Sequence, residues 1–289
     1  MPALEIPLQE ELQVEAEPVH GCKRQCSRCV FHPVPRRLAF MTPEAMRTSL
    51  TTIARINPSL KRLVLLHGGR GEPLEHPSLA ELNKTALETL KELGVEGSIR
   101  LLWGGSGVKS PEELAERTRN AHDLLLTIDG QHVYGEKKLL FGTPKRPKQP
   151  GYALVQDAKT GVIRRVARAS TPPAKQEKQA LLAMLEKVQW GLQANRQNGV
   201  RLIVNFTREK NGSSSRFIRT LEKLAQRQGI RLAKYWSDER GKNELAIIQS
   251  PLYAKGAETG RKTVHDALIL HDGTVTTTVP AASNARKRA

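Results

Sequence analysis

Apolar strand-like runs alternate with amphipathic helical stretches along most of this 289-residue chain. That alternation limits the fold more than any other feature. Residues 12–17 alternate apolar and polar, and 62–66, 98–103, 123–128, 200–206 and 230–235 are short apolar runs bounded by Gly, Pro or Asp. Between them the pattern predicts helices. Thr42-Pro43-Glu44 opens one that runs to Ile56, 78–93 forms another ending at Gly94, and Ser110-Pro111-Glu112 caps a third. Helices are also expected over 175–197 and over 215–228, before Gly229. About six β–α steps in a row imply an α/β fold with a parallel sheet and right-handed crossovers. Six repeats suit a partial (β/α)6 TIM-type barrel better than a doubly wound sheet.

One stretch breaks the series. Residues 131–173 hold five prolines and a predicted hairpin, 152–156 against 162–166 around Lys159-Thr160-Gly161. Ten basic and two acidic residues fall between Gln131 and Lys175, about half of the chain's +17 net charge. The expected organisation is therefore 1–130 as the first half of a core and 131–174 as a basic insertion or lid. Residues 175–240 form the second half of the core, and 241–289 a C-terminal hairpin turning at Asp272-Gly273 with a basic tail. No apolar run reaches the roughly 18 residues of a membrane span. The first twenty residues carry five glutamates and no lysine or arginine, the reverse of a secretory signal. A cytoplasmic setting is the expectation.

All three cysteines lie together as Cys22-x3-Cys26-x2-Cys29. Thiolate ligates both zinc and iron–sulfur clusters, and either normally takes four ligands. Three thiols leave one position to something else. His32, three residues after Cys29, would complete a Cys3His zinc site. With this charge, the alternative is then a zinc-stabilised nucleic-acid-binding protein without catalysis. Zinc, however, gives no reason for the β–α series. In a parallel barrel the functional loops follow the C-terminal ends of the strands. The cysteine loop follows the first strand, and Gly68-Gly69-Arg70-Gly71-Glu72-Pro73 follows the second. Asp129-Gly130 follows the fourth, and Asn205 to Glu209 the fifth.

The cysteine spacing after a first strand resembles the cluster motif of the radical S-adenosylmethionine (SAM) superfamily. Gly71-Glu72-Pro73 is similar to that superfamily's GGEP stretch, and Leu74-Glu75-His76-Pro77 continues the likeness. The resemblance covers about residues 10 to 240. It implies a [4Fe-4S] cluster held by Cys22, Cys26 and Cys29, with SAM on the fourth iron. It also implies reductive cleavage to a 5′-deoxyadenosyl radical that abstracts hydrogen from a substrate. Gly71, Glu72 and Pro73 would seat the SAM amino group, and Asn205 or Glu209 would reach the ribose. Two departures stand out: Arg28 replaces the usual aromatic beside the third cysteine, and Arg70 replaces the first glycine of GGEP. No further cysteine remains for an auxiliary cluster. No residue is singled out as catalytic. The basic insertion suits a nucleic acid or other anionic substrate, or an acidic electron donor of the flavodoxin or ferredoxin type. Glu72 as a simple turn cap, and His67 and His76 as satisfied loop histidines, are the plainer readings of those residues.

Overall fold

The computed structural model describes residues 9–22, 37–129, 152–156, 163–167, 176–208, 214–227, 229, 231–233, 244–251 and 267–276. In chain order the elements are β1 (Glu11–Ala16), β2 (Val19–His20), β3 (Ala39–Phe40), α1 (Pro43–Ile56), β4 (Arg62–His67), a 3-10 turn (Pro73–Glu75), α2 (Leu79–Glu92), β5 (Glu96–Trp103), α3 (Pro111–Arg117) and β6 (Asp123–Asp129). They continue with β7 (Tyr152–Gln156), β8 (Ile163–Ala167), α4 (Gln176–Asn198), β9 (Arg201–Arg208), α5 (Ser214–Arg227), β10 (Arg231–Ala233), β11 (Glu244–Pro251), β12 (Ala267–Ile269) and β13 (Val275–Thr276).

The chain forms two compact units. The first comprises residues 1–102, 117–122 and 254–289, the second 103–116 and 123–253. Each is an α/β layer on a mostly parallel sheet, the class that the alternation predicts.

In the first unit β1 pairs in parallel with β4, and β4 with β5. α1 starts where the sequence places it because the Thr42 hydroxyl accepts from the Ala45 N–H at 3.1 Å and Pro43 needs no partner for a missing N–H. The two faces of this sheet differ. A Cβ on Gly97 would touch Leu90 at 2.8 Å and Leu87 at 3.1 Å, so that face meets α2. Alternation and register then put Leu12, Val14, Leu63, Leu65, Ile99 and Leu101 on the helix side. All six are fully buried, with Met46, Leu50 and Ile53 of α1 and Leu82, Ala86 and Leu90 of α2. The opposite face carries Glu15, Leu66 and Arg100 in one register row. A Cβ on Gly68 would meet Leu102 at 2.7 Å and the Glu15 carboxylate at 3.4 Å on that same side.

The C-terminal hairpin appears where Asp272-Gly273 predicts it, with β12 antiparallel to β13. Its first strand also adds to the sheet, running parallel to β1 from Val14↔Ala267 to Ala16↔Ile269. The Ser49 hydroxyl fixes its turn by donating to the Gly273 carbonyl at 2.7 Å.

In the second unit β6, β9 and β11 run parallel, and Leu124, Leu126, Leu202 and Val204 are buried with Leu182, Leu185 and Val188 of α4. The hairpin predicted inside the basic insertion is present as β7 and β8, one residue out of the expected register on its second strand. The Ile163 N–H donates to the Gln189 side chain of α4 at 3.1 Å. The strand order corrects the simple sequential series. β11, which the sequence reading leaves out, lies between β9 and β10. Its run Leu245-Ala246-Ile247-Ile248 helps it pair with β9 over seven positions, whereas three-residue β10 pairs over three. The longer apolar strand takes the inner place and leaves β10 outside it.

Candidate functional site

The chain leaves β1 at Ala16, and the Glu17 N–H donates to the Ile269 carbonyl of the C-terminal hairpin at 2.8 Å. β2 then pairs antiparallel with β3, Val19 opposite Phe40 and His20 opposite Ala39. Residues 21–38 thus leave and return through one short ladder. Cys22 is half-buried at the start of that loop. Cys26, Arg28, Cys29 and His32 lie outside the described residues.

The Gly-Glu-Pro loop follows β4 and lies against the root of the cysteine loop. A Cβ on Gly71 would fall 2.0 Å from the Val19 carbonyl oxygen and 2.9 Å from that of Gly21. Main chain meets main chain, so only glycine fits. Two segments that the sequence puts some fifty residues apart are therefore in contact, Gly71 on the one side and the backbone just before Cys22 on the other. Glu72 is buried and precedes the 3-10 turn Pro73–Glu75, but its side chain makes no cap hydrogen bond there. The plain capping reading does not hold. Pro73 and Leu74 are buried beneath the loop, and the Arg117 guanidinium donates to the Leu74 carbonyl.

The two loop histidines divide. His76 is satisfied: Nε2 donates to the Met41 carbonyl at 2.8 Å, and Nδ1 accepts from the Ser78 N–H at 3.1 Å. Burial lowers its pKa and Arg117 adds to this, while the Met41 bond opposes. His67, the last residue of β4, is fully buried, and neither ring nitrogen makes a hydrogen bond among the described residues. Burial first, then the nearby His76, pushes its pKa down to about 3, so its ring is neutral.

Sequence reasoning misses the carboxylate at the centre of this edge. Glu17 is 1% exposed and is held at two points by Arg70, Nε to Oε1 at 2.9 Å and Nη2 to Oε2 at 2.8 Å. The Arg70 backbone N–H also donates to Oε1 at 3.2 Å. His20 Nδ1 lies 3.2 Å from Oε1, and His271 Nδ1, from the C-terminal hairpin, 3.8 Å from Oε2. The two imidazoles stack with centroids 4.5 Å apart. Glu17, His20 and His271 offer ligand atoms within 4.8 Å of one another. Yet a cation there would face the Arg70 guanidinium, which already occupies both carboxylate oxygens. The group is an ion-paired hub rather than a metal centre. The available signal was Glu15 and Glu17 in an otherwise buried strand end, and the departure at Arg70.

Asn205 belongs to the second unit and is half-buried. It lies within β9 and not in a loop after it, opposite Thr127 and Ile248. The strand extends to Arg208 because β11 pairs with it that far; Glu209 is outside the described residues. Asp129 is likewise the last residue of β6, and Gly130 falls outside. No described helix is long and apolar enough to cross a membrane.

No family model and no curated protein sequence matches this chain. Among solved structures it is similar to native anSMEcpe with bound AdoMet and Kp18Cys peptide, at 12% identity and a TM-score of 0.43. That alignment covers 86% of this chain and 54% of the other, so the chain spans about half its length. It is also similar to methylornithine synthase (PylB), at 14% identity and a TM-score of 0.39, over 88% of this chain and 58% of that one. A third is BtrN in complex with AdoMet and 2-DOIA, at 14% identity and a TM-score of 0.29, over 41% of this chain and 46% of that one.

Proposed function

We propose that the chain is a radical SAM enzyme with a single [4Fe-4S] cluster, built on a partial (β/α)6 barrel. The observation that carries the reading is the close packing of Gly71 on the backbone of Val19 and Gly21. It supports the reading because the Gly-Glu-Pro loop then lies against the backbone that leads into Cys22, at the C-terminal edge of parallel strands. A zinc site would need the cysteine loop and His32 alone, and this contact would have no purpose.

The donor set fits. Cys22, Cys26 and Cys29 would hold three irons as thiolates, which suits an iron–sulfur cluster. Carbonyls of the Gly71-Glu72-Pro73 stretch would accept from an ammonium group, and the Glu72 carboxyl is buried beside them. Cluster and SAM together supply reductive cleavage of a sulfonium and hydrogen-atom abstraction from a substrate. The sheet face turned away from α1 and α2 is where a substrate would lie. There Glu15 and Arg100 present both signs of charge, and Leu66 and Leu102 apolar surface. Such a row would orient a polar substrate. The basic segment 131–174 would draw an anionic substrate or an acidic electron donor.

Two substitutions test the reading. After anaerobic reconstitution with iron and sulfide, Cys26→Ala should lose the broad visible absorbance of a cluster, and His32→Ala should keep it. Loss of metal in both variants, with zinc found in the wild type, would establish the Cys3His site instead.

A further inference from the structure

Arg70 is where the Gly-Glu-Pro loop departs from GGEP, and its side chain is directed into the protein. It turns back to Glu17, one residue beyond β1, and spans both carboxylate oxygens. The fork geometry of a guanidinium fixes direction as well as distance. Its backbone N–H is bound to the same carboxylate, so Arg70 is pinned at two places. Gly69 before it is in the left-handed region at φ 87, and Gly71 after it presses on Val19. Two glycines without an anchor would leave this loop many conformations. The arginine removes that freedom. On the other side, Glu17 leads through Pro18 and β2 straight to Cys22, and His271 brings the C-terminal hairpin to the same carboxylate.

We infer that Glu17 and Arg70 are a pair of positioning residues that hold the SAM-binding backbone of Gly71 to Pro73 in register with the root of the cysteine loop. Both side chains are taken up by each other, so their effect on SAM would pass through the loop backbone. The inference rests on the radical SAM reading and assigns a purpose to the arginine that interrupts its motif. Cluster uptake depends on the thiols, and SAM affinity depends on the loop. The pair therefore governs the second and not the first.

The test uses the full chain, reconstituted anaerobically, as wild type, Arg70→Gly, Arg70→Lys and the double variant Glu17→Gln/Arg70→Gly. Iron and sulfide content, SAM affinity by equilibrium dialysis, urea stability, and amide exchange of peptides covering 67–73 and 17–22 in the apo protein are compared. Arg70→Gly leaves Glu17 buried without its cation, so stability and SAM affinity both fall, the latter about tenfold. Iron content stays at the wild-type level, and exchange at 67–73 speeds up. Arg70→Lys keeps the charge but loses the fork, and falls between. The double variant separates positioning from plain structure. Stability recovers because no charge is left unpaired, while SAM affinity stays low because the anchor is gone. Wild-type SAM affinity in Arg70→Gly, or recovery of affinity along with stability in the double variant, would overturn the inference. Unchanged apo exchange at 67–73 in Arg70→Gly would overturn it as well. A wild type that takes up no cluster and binds no SAM would overturn the enzyme reading, and the positioning role with it.

Discussion

Among the described residues, two arginine–carboxylate pairs have a buried carboxylate, and they sit at opposite ends of their strands. Asp123 and Arg201 are the first residues of β6 and β9, directly in register, with Nε 2.6 Å from Oδ1 and the aspartate fully buried. Glu17 and Arg70 lie just past the C-terminal ends of β1 and β4. The first joins two neighbouring strands at matching positions. The second joins three loops that share no register: the root of the cysteine loop, the Gly-Glu-Pro loop and, through His271, the C-terminal hairpin. The N-terminal edge of a parallel β/α sheet serves stability, and the C-terminal edge carries the chemistry. Equal chemistry at the two ends thus does different work. One pair locks a sheet and the other places loops.

The largest expected effect is at the foot of the strands. Asp123→Ala leaves Arg201 without its buried partner and should cost about 3–5 kcal/mol in urea unfolding. SAM cleavage per folded molecule should persist. Loss of cleavage in still-folded Asp123→Ala protein would erase the distinction between the two pairs.

Acid sharpens the contrast next. His67 is neutral in the folded state, with a pKa of about 3 against about 6.5 when unfolded, so the unfolded chain binds the proton more readily between those values. Stability is complete above about pH 6.5 and declines as pH falls toward about 3, by at most about 1.4 kcal/mol per unit. From pH 7 to about pH 5 the wild type should lose about 2 kcal/mol more than His67→Leu. An equal loss in both would mean that His67 is not the buried neutral group.

Gly71→Ala reverses the signature of Asp123→Ala. The added methyl meets the Val19 carbonyl, and overpacking of this kind costs about 1–3 kcal/mol. SAM binding should fail while most of the protein remains folded at 25 °C. Retained SAM cleavage would mean that contact between the two loops is dispensable. Smallest is Thr42→Ala, which removes the cap of α1 close to the loop-side edge and should cost about 1 kcal/mol. SAM affinity should not change. A change would show that mere proximity to the loops is enough.

Most elements were legible because their ends carry local chemistry. Thr42-Pro43 and Ser110-Pro111 start helices with groups that satisfy the first N–H donors, and Gly94 at φ 72 ends one in the left-handed region. β11 was missed because the charged stretch 238–244 before it reads as the start of a tail, and nothing local says that it will lie inside β10. The site divides in the same way. Gly71 was legible as part of a motif, and its need for glycine is met by a main-chain contact. The Glu17–Arg70 pair spans 53 residues, and no periodicity links them. Arg70 showed only as an exception to a pattern; the structure supplies its partner. Asn205 reads as part of the loop after its strand, whereas β9 runs on to Arg208 because β11, the strand that was not foreseen, pairs with it that far.

The central claim is that the thiol loop and the Gly-Glu-Pro loop form one SAM-cleaving site. The most direct measurement is anaerobic reduction of the reconstituted full chain with SAM, followed by chromatography of the nucleosides. Formation of 5′-deoxyadenosine, abolished in Cys22→Ala and in Gly71→Ala, is the predicted result. A wild type that retains one tightly bound zinc and returns SAM intact would contradict it.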